Sequence, residues 1–93
     1  MIVSFRHKGL RELFEDGSTP RLPQERIKKI NELLGLLDSA TKLEELNDPR
    51  LRLHILKRPP LVGHYSIDVS GNYRLVFQFE SGQVSEVDFL DTH

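Results

Sequence analysis

An α+β domain, in the order β-α-α-β-β-β, follows from three features of the sequence. Apolar residues of the first half recur with a helical period, those of the second half alternate with period two, and two short breaks, Gly71-Asn72 and Ser81-Gly82, separate the alternating runs. Helices from the first half are expected on one face of an antiparallel sheet.

The elements follow in order. IVSF (2–5) is a short strand expected to join the sheet. HKGLRELFEDG (7–17) places Leu10, Leu13 and Phe14 on one helical face, and Gly17 stands where a helix commonly stops. After STPRLP, with Pro23 suited to a first turn, Ile27, Ile30, Leu33, Leu34 and Leu37 form an apolar stripe. Gly35 interrupts this helix and is read as a point of close packing. TKLEEL (41–46) has Thr41 and Glu44 at capping-box spacing, which predicts a further helical turn. Then the period changes. Tyr65, Ile67 and Val69 alternate with Ser66, Asp68 and Ser70; Tyr73, Leu75, Phe77 and Phe79 alternate with Arg74, Val76 and Gln78; QVSEVDFL closes the meander. If the Tyr73/Leu75/Phe77/Phe79 side packs on the helices, Arg74 is sent to the open face.

The 93 residues form a single domain, 1–93, whose core buries about 60–65% of the unfolded chain's surface. Cysteine is absent, which excludes a disulfide framework and thiolate chemistry, and no stretch reads as a leader or a membrane span. The expected location is the cytoplasm, with no membrane partner. The net charge of −1 hides a division. Residues 49–79 carry Arg50, Arg52, Lys57, Arg58 and Arg74 against Asp68 alone, and residues 80–93 carry Glu80, Glu86, Asp88 and Asp91 with no Lys or Arg. A local basic stretch in a near-neutral chain predicts a focused anion site rather than a polyelectrolyte coat.

The segment RLRLHILKRPP (50–60) alternates Arg50, Arg52 and His54 with Leu51, Leu53 and Ile55, which would set the basic groups on one side of an extended segment. On composition alone a solvated basic edge strand is the favoured reading, since Lys and Arg discourage edge pairing. The four histidines (7, 54, 64 and 93) lie in separate segments without metal-ligand spacing, so no metal and no cofactor are expected. No nucleophile elbow is present. The inventory fits metal-free phosphodiester cleavage: a ribose 2′-hydroxyl attacking its own phosphorus needs a proton acceptor, a proton donor and cations. Histidine serves in either proton role, and Arg offers a fork for phosphate oxygens. His54, Lys57, Arg74 and His93 supply this set.

The sequence also resembles the HigB toxins of the RelE/ParE superfamily over nearly its whole length. The segments that carry the resemblance are SFRHKGLRELFEDGS, LDSATKLEELN, RLHILK, GHYSIDVSGNYRLVFQF and VDFLDTH. The resemblance implies a small RelE-like fold and a ribosome-dependent, metal-free mRNA endoribonuclease that enters the ribosomal A site and halts translation. His54 and Lys57 match the family's RLH-x-LK, Arg74 matches the Arg of its NWR, and His93 matches its terminal His. Thr92 stands where relatives have Tyr, and Tyr65 and Tyr73 where they have Trp. Arg50, Arg52, Arg58, His64 and Tyr73 are the expected RNA contacts. The implied partners are the ribosome, mRNA and a HigA-like helix-turn-helix antitoxin, through which the complex would bind operator DNA. Two other readings stay on the same fold: a non-catalytic gyrase inhibitor of the ParE branch, and a relative that retains only antitoxin binding.

Overall fold

A computed structural model describes residues 1–92. Two helices, α1 (Lys8–Asp16) and α2 (Ile27–Ser39), precede four strands, β1 (His54–Ile55), β2 (Tyr65–Asp68), β3 (Tyr73–Glu80) and β4 (Gln83–Asp91). The strands form one antiparallel sheet in the order β1-β2-β3-β4. The α+β class, the two helices and the three-strand meander are as expected. The leading segment departs from expectation. It runs parallel to β4 through isolated bridges at Ile2–Val84 and Phe5–Val87 only, and the Ile2 N–H donates to Asp38 at 2.9 Å. The first regular strand is instead the two-residue β1.

Local chemistry sets the helix ends. His7 caps α1, its Nδ1 accepting the Leu10 N–H at 3.3 Å. Gly17 ends the helix at φ 71°, and its N–H and that of Ser18 donate to Leu13 and Glu12. A 3-10 turn (Gln24–Arg26) leads into α2. The apolar stripe of α2 is buried at Ile30, Leu33, Leu34 and Leu37. Gly35 is not a packing point: no atom lies within 4 Å of where its Cβ would sit. A Gly35→Ala variant is therefore expected to be more stable by up to about 1 kcal/mol, through helix propensity alone. Thermal denaturation should show the midpoint rising by roughly 4–8 °C per kcal/mol. The predicted turn over 41–46 is a 3-10 helix, Leu43–Leu46, and the capping carboxylate is Glu45 rather than Glu44. Glu45 accepts from the Thr41 N–H, the Thr41 hydroxyl and the Lys42 N–H at 2.8–2.9 Å, and those bonds, the Thr41 N–H first, hold its pKa below the ordinary value.

The sheet buries one face against the helices. Ile67, Leu75, Phe77, Val84 and Val87 join Leu10, Leu13, Ile30, Leu33, Leu34, Leu37 and Leu46 in a single core. Ser81 and Gly82 close the β3–β4 hairpin with φ 52° and 77°, the paired positive values of a type I′ turn. A bulge interrupts β4 where Val76 pairs with Asp88 but Gln78 pairs with Ser85. The additional residue, with Glu86 at φ 54°, reverses the alternation, so Val84 and Val87 both reach the core. Past the bulge Asp88 and Leu90 register with Val76 and Arg74 on the other face.

That other face is not open across its centre. Ser66 and Val76 point away from the helices, yet are only 0% and 1% exposed. The β1–β2 connection closes over them: residues 55–61 line a cleft of about 470 Å³ whose far wall is Leu90 of β4, two strands beyond β2.

Candidate functional site

Registration places His54 and Arg74 on the face away from the helices. His54 lies opposite Ser66, Ser66 opposite Val76, and Val76 opposite Asp88; the next row is Asp68, Arg74 and Leu90. Directly opposed side chains share a face, so His54 and Arg74 emerge on the same side. Strand geometry puts their Cα positions about 12 Å apart, two strand spacings across and two residues along.

His54 is exposed, and its Nδ1 lies 2.8 Å from the Arg52 carbonyl oxygen. A carbonyl oxygen only accepts, so Nδ1 carries the proton and Nε2 holds the lone pair of the neutral ring. In that tautomer Nε2 can accept a proton. Lys57 and Arg58 are exposed at the 470 Å³ cleft together with Ile55, Leu56, Pro59, Pro60, Leu61 and Leu90. Two cations therefore border an apolar slot, while His54 lines a separate hollow with Leu43, Glu44, Asn47, Leu53, Ile55 and Tyr65.

Arg74 is 37% exposed at its side chain and pairs with Asp68 (Nε–Oδ1 3.8 Å). Asp68, 17% exposed, also meets Arg52 through Oδ2 at 3.6 Å. Sequence reading left Asp68 outside the site. Its pairing with Arg74 depends on the register of β2 on β3, which sets the two residues opposite one another.

The expected extended alternation of Arg50, Arg52 and His54 is not formed. Residues 49–52 turn, with Arg52 at φ 53° and the Leu51 N–H bonded to the Asp48 carbonyl at 2.8 Å. Pro49 and the Asp48 side chain, which accepts the Arg50 N–H at 2.9 Å, favour that turn. Arg50 consequently faces the flank of α2 beside Lys29 and Glu32, away from Arg74. Its guanidinium bonds Asp48 at 2.8 and 3.2 Å, and this side-chain hydrogen bond holds the Asp48 carboxyl down to about 2. His64 is buried, 8% exposed, rather than presented to RNA. Its backbone is consumed in closing the β1–β2 connection, donating to Leu61 and accepting from Leu56. Tyr73 lies on the helix side with Leu75, half-buried, its ring stacked on Phe89 at 5.1 Å and 22°. The same parity that exposes Arg74 turns Tyr73 inward, so its ring is committed to packing.

β4 ends at Asp91, and the Thr92 N–H and hydroxyl both donate to the Asn72 carbonyl, at 2.7 and 3.0 Å. The end of the described chain is thereby clasped to the connection that leads into Tyr73 and Arg74. His93, the fourth predicted catalytic residue, lies outside the described residues. Among the described residues no three His, Asp or Glu side chains are grouped so as to hold a metal ion.

A family model described as the RelE-like toxin of type II toxin–antitoxin system HigB matches residues 3–93. The chain belongs to this HigB-like toxin family. A curated relative, Endoribonuclease HigB of Proteus vulgaris, is 42% identical over 93 residues, covering all of both chains. Among solved structures, the YoeB toxin fold is shared by two YoeB–YefM complexes from Staphylococcus aureus. One matches at a TM-score of 0.56 and 19% identity over 97% of this chain and 95% of that one. The other, a heterotetramer, matches at 0.61 and 20% over 100% and 95%. The fold of this HigB-like toxin is thus RelE-like. No helix of the described chain is long and apolar enough to cross a membrane.

Proposed function

We propose that this HigB-like toxin is an endoribonuclease that cuts mRNA in the ribosomal A site by metal-free transphosphorylation. The observation that carries the reading is the exposed His54 imidazole, its Nδ1 against the Arg52 carbonyl, on the same sheet face as Arg74. In the reaction the 2′-oxygen forms a bond to phosphorus and the bond to the 5′-oxygen breaks. The 2′-hydroxyl proton passes to a base and the leaving 5′-oxygen takes a proton from an acid. The products are a 2′,3′-cyclic phosphate and a 5′-hydroxyl. His54 and His93 divide the two proton roles, and Arg74 and Lys57 neutralise the charge that grows on the phosphorane oxygens. Arg52 and Arg58 hold neighbouring phosphates, contacts that weaken with salt. The same reading assigns the toxin to the cytoplasm and gives it an antitoxin partner of the HigA-like, helix-turn-helix kind, through which the pair reaches operator DNA.

The test is cleavage of a defined mRNA in a purified translation system, with and without ribosomes, comparing the wild type with His93→Ala. Cleavage is expected only with ribosomes and is expected to fall by at least about 10²-fold in the variant. A wild-type protein that leaves mRNA intact where a known ribosome-dependent nuclease cuts it would overturn the reading.

A further inference from the structure

Asp68 is the sole acidic residue of the basic stretch 49–79, and it sits between two of that stretch's arginines. Its backbone is fixed from both sides. The Asp68 N–H donates to the Leu51 carbonyl at 2.8 Å, and Arg74 is its registered partner on β3. The carboxylate itself is poorly satisfied. Arg52 and Arg74 approach at 3.6 and 3.8 Å, outside hydrogen-bond range, and Oδ1 has no hydrogen-bond partner among the described residues. A carboxylate oxygen withdrawn from water without a hydrogen bond is a poor device for stability and asks for another explanation. Both arginines approach it through Nε, which leaves their terminal nitrogens as the donors available to an incoming anion.

We infer that Asp68 is a positioning residue of the RNA site: it holds the Arg52 and Arg74 guanidiniums in place and, by occupying part of their charge, weakens ground-state phosphate binding. The inference rests on the nuclease reading for its kinetic consequence but not for its electrostatic one. A phosphodiester arriving at Arg74 competes with Asp68 for the same cation and is repelled by its carboxylate. As negative charge builds on the phosphorane, the balance shifts toward the substrate, and an arginine already aimed at it needs no further ordering. Asp68 thus trades binding for rate.

The test compares wild type, Asp68→Asn and Asp68→Glu as full chains. In the ribosome assay Asp68→Asn is expected to lower kcat by about tenfold or more while KM stays level or falls. Asp68→Glu, which keeps the charge, is expected to recover part of kcat. In equilibrium binding to a fully 2′-O-methylated single-stranded RNA, which cannot be cleaved, Asp68→Asn is expected to bind more tightly at low salt. Its log–log salt dependence should steepen by about 0.7 for the one cationic charge released. Unchanged kcat with an unchanged salt slope would overturn the inference. So would weaker RNA binding, or a loss of kcat that tracks a lowered melting midpoint, because either marks a purely structural carboxylate. If the wild type cleaves nothing, the nuclease reading falls, and the salt slope of Asp68→Asn alone decides the role of Asp68 as a brake on anion binding.

Discussion

Replacing His54 by alanine is expected to reduce ribosome-dependent cleavage by about 10²- to 10⁴-fold, the range that a positioned proton-transfer group supplies. The side chain is exposed and, among the described residues, makes one hydrogen bond, to the Arg52 carbonyl, so its removal should leave the melting midpoint nearly unchanged. A His54→Asn variant, whose amide nitrogen stands where Nδ1 does, separates the proton from the contact. Its amide can still donate toward the Arg52 carbonyl but cannot exchange a proton near neutral pH, so it should be about as inactive as alanine. Single-turnover cleavage on programmed ribosomes measures the chemical step for the wild type and both variants. Should His54→Ala cut within about threefold of the wild type, far inside the range for general acid–base catalysis, the proton role would pass from His54 to another group.

How much of this site can be read without coordinates depends on the range of the forces involved. Period-two alternation is a local steric rule, and it placed Phe77 inside and Arg74 outside correctly. Applied strictly, it also turns Tyr73 inward, against the RNA contact assigned to that ring from the resemblance. The α2 stripe was legible for the same reason, since Ile30, Leu33, Leu34 and Leu37 repeat within one element. What escaped depends on residues distant in the chain. Alternation along 50–55 suggested a strand, but Pro49 and the Asp48 cap turned the chain first, and Arg52 entered the left-handed region. The burial of Ser66 and His64 follows from a connection folding back as far as Leu90, which no local pattern encodes. The bulge at Glu86 shifts parity within what reads as one strand, so the residues on either side of it obey different alternations. Asp68 became visible only when the registration of β2 on β3 paired it with Arg74. Element types were therefore largely local information, and the site was largely a matter of register.

Truncating Phe77 to alanine is expected to destabilise the protein by about 3–5 kcal/mol, the usual cost of removing a buried aromatic side chain. Phe77 is fully buried in the middle of β3, it stacks on Tyr65 at 6.0 Å, and it lies opposite the β4 bulge. Neither neighbour can close the gap cheaply. Tyr65 is held in register with Phe77 itself and Ile55, and the bulge already commits Val84 and Val87 to the core. Small domains have about 5–15 kcal/mol in total, so the variant would stand near the limit of folding. Thermal denaturation should show the midpoint falling by roughly 4–8 °C for each kcal/mol, and activity should disappear with the folded fraction rather than through the chemical step. Gln78→Ala provides the contrast. That side chain is one residue further along the strand and exposed, and its change should fall within about 0.5 kcal/mol of the wild type. If the two variants were equally stable, β3 would not bury the face assigned to it. Arg74, placed opposite that face by the same alternation, would then not share a side of the sheet with His54.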